Sequence, residues 1–401
     1  MPSPRPIVLF CGGLAGDGVA RNTVHLANGL VRRGVPVQVV CLNGGALVDD
    51  LRGPEVTCLG RVAGPRGVAL AAAVPTLRRR LASLAPSVVM SMGNHAHLAV
   101  WAALRGLPDT PRIYRISNDP DRRDHDPTRR GLREAGLRLV AQDATRLVCV
   151  SAAVAARAPF RRARRDRRVH ILPNGVDVQV VRARASEPVR HPWLTGPPFL
   201  ISVGRVHRQK NYEALIEALA VARAQSAPDL RLLILGAAPV RLRSALEERA
   251  RAAGLDGAVR FEGEVANPFP LVSRAAAFVL PSLWEGASNS LLEALACEVP
   301  VVASRSAGNA PEVLAGGRYG ALADPLDPAD LARAILAQLD PARRMNPGGR
   351  AADFQLHAVI DRLCGIVLDA RAAHDEIQMQ TEAAGHPQPL SGLPWGPDTE
   401  Y

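Results

Sequence analysis

Two carboxylates and two cations stand out by type and spacing. Glu285 and Glu293 lie eight positions apart in Ser282-Leu283-Trp284-Glu285-Gly286-Ala287-Ser288-Asn289-Ser290-Leu291-Leu292-Glu293-Ala294, and Arg205 and Lys210 lie five apart in Val203-Gly204-Arg205-Val206-His207-Arg208-Gln209-Lys210-Asn211. Lys210 is the single lysine; the other 48 of the 49 Lys and Arg residues are Arg. That excess accompanies abundant Ala, Gly and Pro and reads as a coding-composition effect. A lysine kept against it marks a place suited to a compact ammonium, such as a phosphate site. Two cations in one turn could clamp a diphosphate. Backbone N–H groups from Ala287 to Ser290 open a helix and favour an anion. Carboxylates on either side could then hold sugar hydroxyls. The same letters have plainer uses: one lysine has to fall somewhere, and Ser290-x-x-Glu293 fits a capping box with no ligand.

These residues need strand ends and helix starts to hold them. Phe199–Val203 reads as a buried strand broken by Gly204, and Asn211 can cap a helix whose apolar face is Leu215, Ile216, Leu219 and Ala220. Ala277–Leu280 is a strand running into the glutamate segment. In the first half, Ile7–Phe10 leads into a glycine loop over 12–18 with Gly12, Gly13, Gly16 and Gly18, then a helix over 19–33. Further strands at 35–41, 88–90, 112–116 and 147–150 alternate with helices at 68–84, 96–104 and 129–143. The second half repeats the rhythm, with strands at 230–235, 259–262 and 300–303 and helices at 240–253 and 290–296. This predicts an α/β fold of two Rossmann-like, doubly wound domains facing each other across a cleft. The expected division is 1–185 and 195–350, a helix over 354–370 returning to the first domain, and a disordered tail from 373 to 401.

Composition narrows the partners. The chain has 401 residues, 47% apolar and 22% charged, with a formal net charge of +11. Anionic ligands or surfaces are therefore permitted. No run of about 18 apolar residues suggests a membrane span, and the N-terminus reads directly into a strand without a signal-peptide pattern. Cys11, Cys41, Cys58, Cys149, Cys297 and Cys364 are scattered without a Cys-x-x-Cys pair, as expected of reduced thiols in a cytoplasmic protein.

In combination, these motifs resemble the GT-B glycosyltransferases of glycosyltransferase family 4, over roughly residues 7 to 370. Glu285 and Glu293 match the family's paired glutamates, Gly204, Arg205 and Lys210 its diphosphate clamp, and Leu172-Pro173-Asn174-Gly175-Val176-Asp177 the segment before its interdomain linker. The glycine loop matches the one approaching donor phosphate and acceptor. The resemblance implies a retaining enzyme that uses a nucleotide sugar. Asn267-Pro268-Phe269 and Gly317-Arg318-Tyr319-Gly320 look like a branch using UDP-hexoses or UDP-N-acetylhexosamines. By the same resemblance, Arg205 and Lys210 neutralise the leaving diphosphate, so no metal or other cofactor is required. Glu285 contacts the donor sugar and Glu293 the ribose. Backbone around Phe261, Gly263 and Val265 holds the base, and Gly286, Ala287, Ser288, Asn289 and Ser290 complete the donor site. A family histidine after a first-domain strand is missing from Tyr114-Arg115-Ile116-Ser117-Asn118-Asp119; Asn94, His95, Ser117 and Asn118 stand on the expected acceptor side. The candidate acceptors are a small molecule and a lipid-linked sugar.

Rival readings use other residues. Asp119 and Asp121 form an Asp-x-Asp, with Asp124-His125-Asp126 beyond, in the manner of a metal site. The run Arg161–Arg168 lacks interleaved aromatics, so nucleic acid is not an expected partner; a solvated helix face or linker is the plain reading, and peripheral contact with an anionic inner membrane face fits better than nucleic acid. An epimerase acting on free UDP-sugars, or an inactive nucleotide-sugar binding protein, would share the architecture.

Overall fold

The computed structural model describes residues 5–60, 64–107, 109–120 and 127–385, except for the side chains of 377 and 381–385. Asp121, Asp124, His125 and Asp126, and the tail from 386 onward, lie outside the described residues.

The first sheet consists of β1 (Ile7–Gly13), β2 (Val37–Asn43), β3 (Glu55–Cys58), β4 (Val88–Ser91), β5 (Arg112–Ile116), β6 (Arg146–Cys149) and β7 (Val169–Ile171). The second consists of β8 (Phe199–Val203), β9 (Arg231–Leu235), β10 (Val259–Gly263), β11 (Ala277–Leu280), β12 (Val301–Ser304) and β13 (Ala321–Ala323). Their orders are β3-β2-β1-β4-β5-β6-β7 and β10-β9-β8-β11-β12-β13, and the pairings within both are parallel. The expected α/β fold of two doubly wound domains is the one observed. Apolar runs form the central strands because helices cover both faces of a parallel sheet. Leu9, Met90 and Ile113 are buried on one face of the first sheet, Phe10, Val89 and Tyr114 on the other.

In both sheets the order of the strands reverses at one point, between β1 and β4 and between β8 and β11. Loops at such a switch point diverge and leave a crevice. The glycine loop follows β1 and Asn94 follows β4; Arg205 and Lys210 follow β8 and Glu285 follows β11. The candidate segments thus occupy the switch points of both domains.

Three short strands, β3, β7 and β13, were not anticipated; at three or four residues they carry too little pattern to read. The helix Val178–Ala185 lies within the expected first domain, yet it packs Val178, Val181 and Ala185 into the core around β8 and β11. The C-terminal helix is also longer than expected. It runs Leu356–Gly385, through the first part of the segment expected to be disordered. Leu363, Ile366, Val367, Ala370 and His374 keep a buried stripe at helical spacing along it. Ile360 and Leu363 of this helix share a core with Leu9 and Val24.

The docking of this helix depends on Gly29. A Cβ there would lie 2.1 Å from Cδ1 of Ile360. Gly29→Leu should therefore overpack the contact and cost about 1–3 kcal/mol in unfolding free energy. Gly67→Ala, where the space is open, should not lower stability; denaturant melts of the two variants check this.

Candidate functional site

The site is built on strand ends. Gly204 follows β8, and its carbonyl accepts a hydrogen bond from the Tyr212 hydroxyl at 2.9 Å. On the neighbouring strand Gly236 has φ +138°, and a Cβ on it would lie 2.4 Å from the Gly204 carbonyl oxygen. The Gly236 N–H donates to the Gly263 carbonyl at 2.6 Å. Three adjacent strand ends therefore bring Gly204, Gly236 and the end of the Phe261–Val265 segment into contact. Phe261 is buried and Val265 packs against the second domain's core.

Lys210 and Glu285, 75 residues apart in sequence, form an ion pair at 2.7 Å. Ser282 donates its hydroxyl to the same carboxylate oxygen at 2.9 Å. The other oxygen accepts from the Gln209 amide at 3.0 Å, and that amide also donates to the Trp284 carbonyl at 2.9 Å. Glu285 is 8% exposed. Burial of its charge is offset by three donors. A Cβ on Gly204 would sit 2.8 Å from Cε of Lys210, so the ammonium stem lies tightly along the strand end. Arg205 is exposed and makes no hydrogen bond or ion pair among the described residues. The expected clamp is thus divided: one cation is committed to a carboxylate and the other faces solvent.

Asn211 opens the Tyr212–Gln225 helix without capping it. It sits at φ 55°, ψ 40°, and its amide donates to the Pro281 and Pro325 carbonyls at 3.2 and 2.7 Å. It ties the two loops of the switch point together.

The helix after Glu285 spans Asn289–Ala296, and its cap is Ser288, whose hydroxyl accepts from the Leu291 N–H. Ser290 is inside the helix, so the Ser290–Glu293 capping box is absent. Glu293 caps nothing. Its side chain, 19% exposed, has Arg21 of the first domain 3.9 Å away. Desolvation raises its pKa above the ordinary carboxylate value, with Arg21 and Arg184 opposing.

Gly286 places this loop against the first domain. A Cβ there would lie 2.4 Å from the Ser117 carbonyl oxygen and 2.6 Å from Cα of Asn118. Asn94 braces the receiving edge: it accepts from the Ser117 N–H at 2.9 Å and donates to the Asn118 carbonyl at 3.0 Å. Asn94, Ser117 and Asn118 are therefore brought together beside the glutamate loop, and exposed His95 follows directly. His97, by contrast, is buried. It faces Ser91 at 2.7 Å and the edge of Tyr114, and burial lowers its pKa to about 3. Asp119 pairs with Arg157.

The glycine loop reaches the same edge. Gly12 and Gly13 end β1, Gly16 has φ +96°, and Gly18 begins the Gly18–Arg32 helix near Asn289. Asp17 caps that helix by accepting from the Ala20 N–H at 2.8 Å. The cap is acidic, a feature the glycine pattern did not reveal. Sequence reasoning also missed Gln209, although it adjoins Lys210. Arg115 and Asn22 gave only the weak signal of polar side chains in apolar segments.

A family model described as "Glycosyl transferases group 1" matches residues 197–340, and one described as "Glycosyl transferase 4-like domain" matches 17–175. The chain is 30% identical over 158 residues to the N-acetylgalactosamine-N,N'-diacetylbacillosaminyl-diphospho-undecaprenol 4-alpha-N-acetylgalactosaminyltransferase of Campylobacter jejuni, covering 39% of this chain and 40% of that protein. It is 32% identical over 245 residues to the D-inositol 3-phosphate glycosyltransferase of Pseudarthrobacter chlorophenolicus, covering 59% and 58%. The matches thus span about half the length of these curated relatives. Among solved structures, Anabaena Alr3699/HepE in complex with UDP and glucose superposes with a TM-score of 0.72 at 19% identity, over 90% of this chain and 99% of that one. At that identity the likeness concerns the fold.

The ion pair makes a prediction independent of substrate. Lys210→Met should leave the buried Glu285 uncompensated and lower stability by roughly 3 kcal/mol. Adding Glu285→Gln should recover most of the loss. A double-mutant cycle by denaturant unfolding measures the coupling.

Proposed function

For a chain that belongs to the GT-B glycosyltransferases, as its two family matches and its fold establish, we propose transfer of a hexose or N-acetylhexosamine from a UDP-sugar to an acceptor hydroxyl, with retention at the anomeric carbon. The bond from that carbon to the diphosphate oxygen breaks, a bond to the acceptor oxygen forms, and the acceptor's hydroxyl proton passes to the departing UDP. The observation that carries this reading is the Lys210–Glu285 pair, held beside Gly204 in a loop touching the first domain. A cation there stabilises negative charge as it develops on the leaving group. Arg205, exposed on the same turn, adds a second positive charge. The two cations supply what a bridging metal would, so the proposed reaction is metal-independent and needs no cofactor.

Glu285 faces the sugar and Glu293 the ribose hydroxyls; backbone at Phe261, Gly263 and Val265 receives the base. The acceptor enters past Gly12–Gly18, Asn94, His95, Ser117 and Asn118. It is a small molecule or a lipid-linked sugar, and the names of the two relatives include one of each kind.

The proposal includes a cytoplasmic protein resting peripherally on anionic membrane. No helix among the described residues is long and apolar enough to cross a membrane. Arg161, Arg162, Arg165 and Arg167 are exposed, and a groove of about 270 Å³ lies among Arg138, Arg161, Arg162 and Arg168. Anionic headgroups are the complementary surface.

A mass-spectrometric screen of UDP-sugars against both acceptor classes should give a glycosylated product with undiminished turnover in EDTA. Loss of turnover that manganese restores would overturn metal independence, and interconversion of UDP-sugars without acceptor would make the protein an epimerase. Glu293→Gln should weaken UDP binding while leaving the thermal midpoint at neutral pH unchanged or raised. The sign follows from the elevated pKa: the folded state holds its proton longer than the unfolded chain, so ionising Glu293 lowers stability as pH rises through that interval, and Gln removes the cost. UDP affinity of the unmodified protein should fall as Glu293 protonates on acidification, whereas the Gln variant should lack that component. Calorimetric titrations across pH, with melts, check both.

A further inference from the structure

Arg115 lies in β5, the strand whose end receives Gly286. Its side chain is 1% exposed. One guanidinium nitrogen donates to Oδ1 of Asn174 at 2.7 Å, whereas Nε and Nη1 have no hydrogen-bond partner. Burial alone, with no carboxylate opposing it, lowers its pKa to about 10. A buried arginine with a single neutral partner is costly, and its position explains what it does.

Asn174, 4% exposed, faces two ways. Its Nδ2 donates to the Ala287 carbonyl at 3.1 Å and to Oδ1 of Asn289 at 2.6 Å, both in the second domain. Arginine offers only donors and a backbone carbonyl only accepts. The two sides together fix the amide: oxygen toward Arg115, nitrogen toward the loop. Asn22 of the first helix approaches the same Asn289 oxygen at 3.5 Å and donates to the Gly18 carbonyl at 2.8 Å. A polar chain therefore runs from the first domain's core to the loop of Glu285 and the start of the Asn289–Ala296 helix.

We propose that Arg115 is a positioning residue, which orients the Asn174 amide so that Asn174 holds the Ala287–Asn289 segment against the first domain in its donor-binding arrangement. The loop is fixed at two points: Gly286 rests on Ser117 and Asn118, and Ala287 and Asn289 hang from Asn174. Without the arginine, the amide keeps its bond to the loop but loses the donor that holds its oxygen in place. The effect on donor binding rests on the UDP-sugar reading above; the effect on the loop does not.

Asn174→Asp separates positioning from mere support of the fold. The carboxylate would still accept from Arg115, now as a full charge pair, so the thermal midpoint should equal or exceed that of the unmodified protein. It cannot donate to the Ala287 carbonyl, even if the Asn289 amide turns to face it. Amide hydrogen exchange across 286–291 should accelerate in the ligand-free variant, and UDP affinity should fall roughly tenfold, about 1.4 kcal/mol. Arg115→Met, which removes the buried charge, should loosen the same peptide without lowering the midpoint. Wild-type exchange at 286–291 in both variants would overturn the proposal, as would a fall in midpoint that accounts for the change in exchange. If the unmodified protein fails to bind UDP, the donor reading falls, while the exchange comparison still decides the role of Arg115.

Discussion

The close backbone contact between Gly286 and the end of β5 governs the geometry of the cleft. A side chain cannot be placed at 286 without moving Ser117 and Asn118. That approach brings the glutamate segment of one domain within reach of Asn174 and Arg21 of the other, at an edge that Asn94 braces. Glu312 adds another contact, accepting from the Ala152 and Ala153 N–H groups of the first domain at 3.0 and 3.3 Å. Two sheets with separate cores are thereby joined at their carboxyl edges, where both strand orders reverse.

Charge at this junction is partitioned. Lys210 is spent on Glu285, which leaves that carboxylate oriented by three donors and Arg205 exposed on the same turn. On the proposed function, an incoming diphosphate would meet one exposed cation and one already preorganised, so less reorganisation accompanies charge development. Glu293 is the counterpart: partly shielded, poorly solvated and reserved from capping, it is an acceptor with few partners of its own.

Much of this was legible in the letters. Alternating apolar runs and glycine breaks located most central strands within a residue or two, because a buried parallel strand must be apolar on both faces. Lys210 stood out against an arginine-rich background, and Glu285 and Glu293 by their spacing. What escaped reading was contact between distant segments. The Lys210–Glu285 pair depends on β8 and β11 lying side by side in the second sheet, and the Arg115–Asn174–Asn289 chain on how the two sheets face each other; no local pattern encodes either. A shift of two residues in the cap, from Ser290 to Ser288, changed Glu293 from a capping residue to an available carboxylate; both serines suit a helix start, and the turn at Gly286 decides between them. The C-terminal helix outran its expected end because its buried stripe uses alanine and histidine, Ala370 and His374.

On the proposed function, a uridine diphosphate lies along the second domain's strand ends, between the β8 and β11 loops. Hydrogen exchange of the intact protein, with and without saturating UDP, shows whether it does. Exchange should slow in three separate peptides, covering residues 204–210, 261–265 and 283–293, with little change in strands β12 and β13. Protection confined to the first domain, or unchanged exchange in all three peptides at saturation, would contradict it.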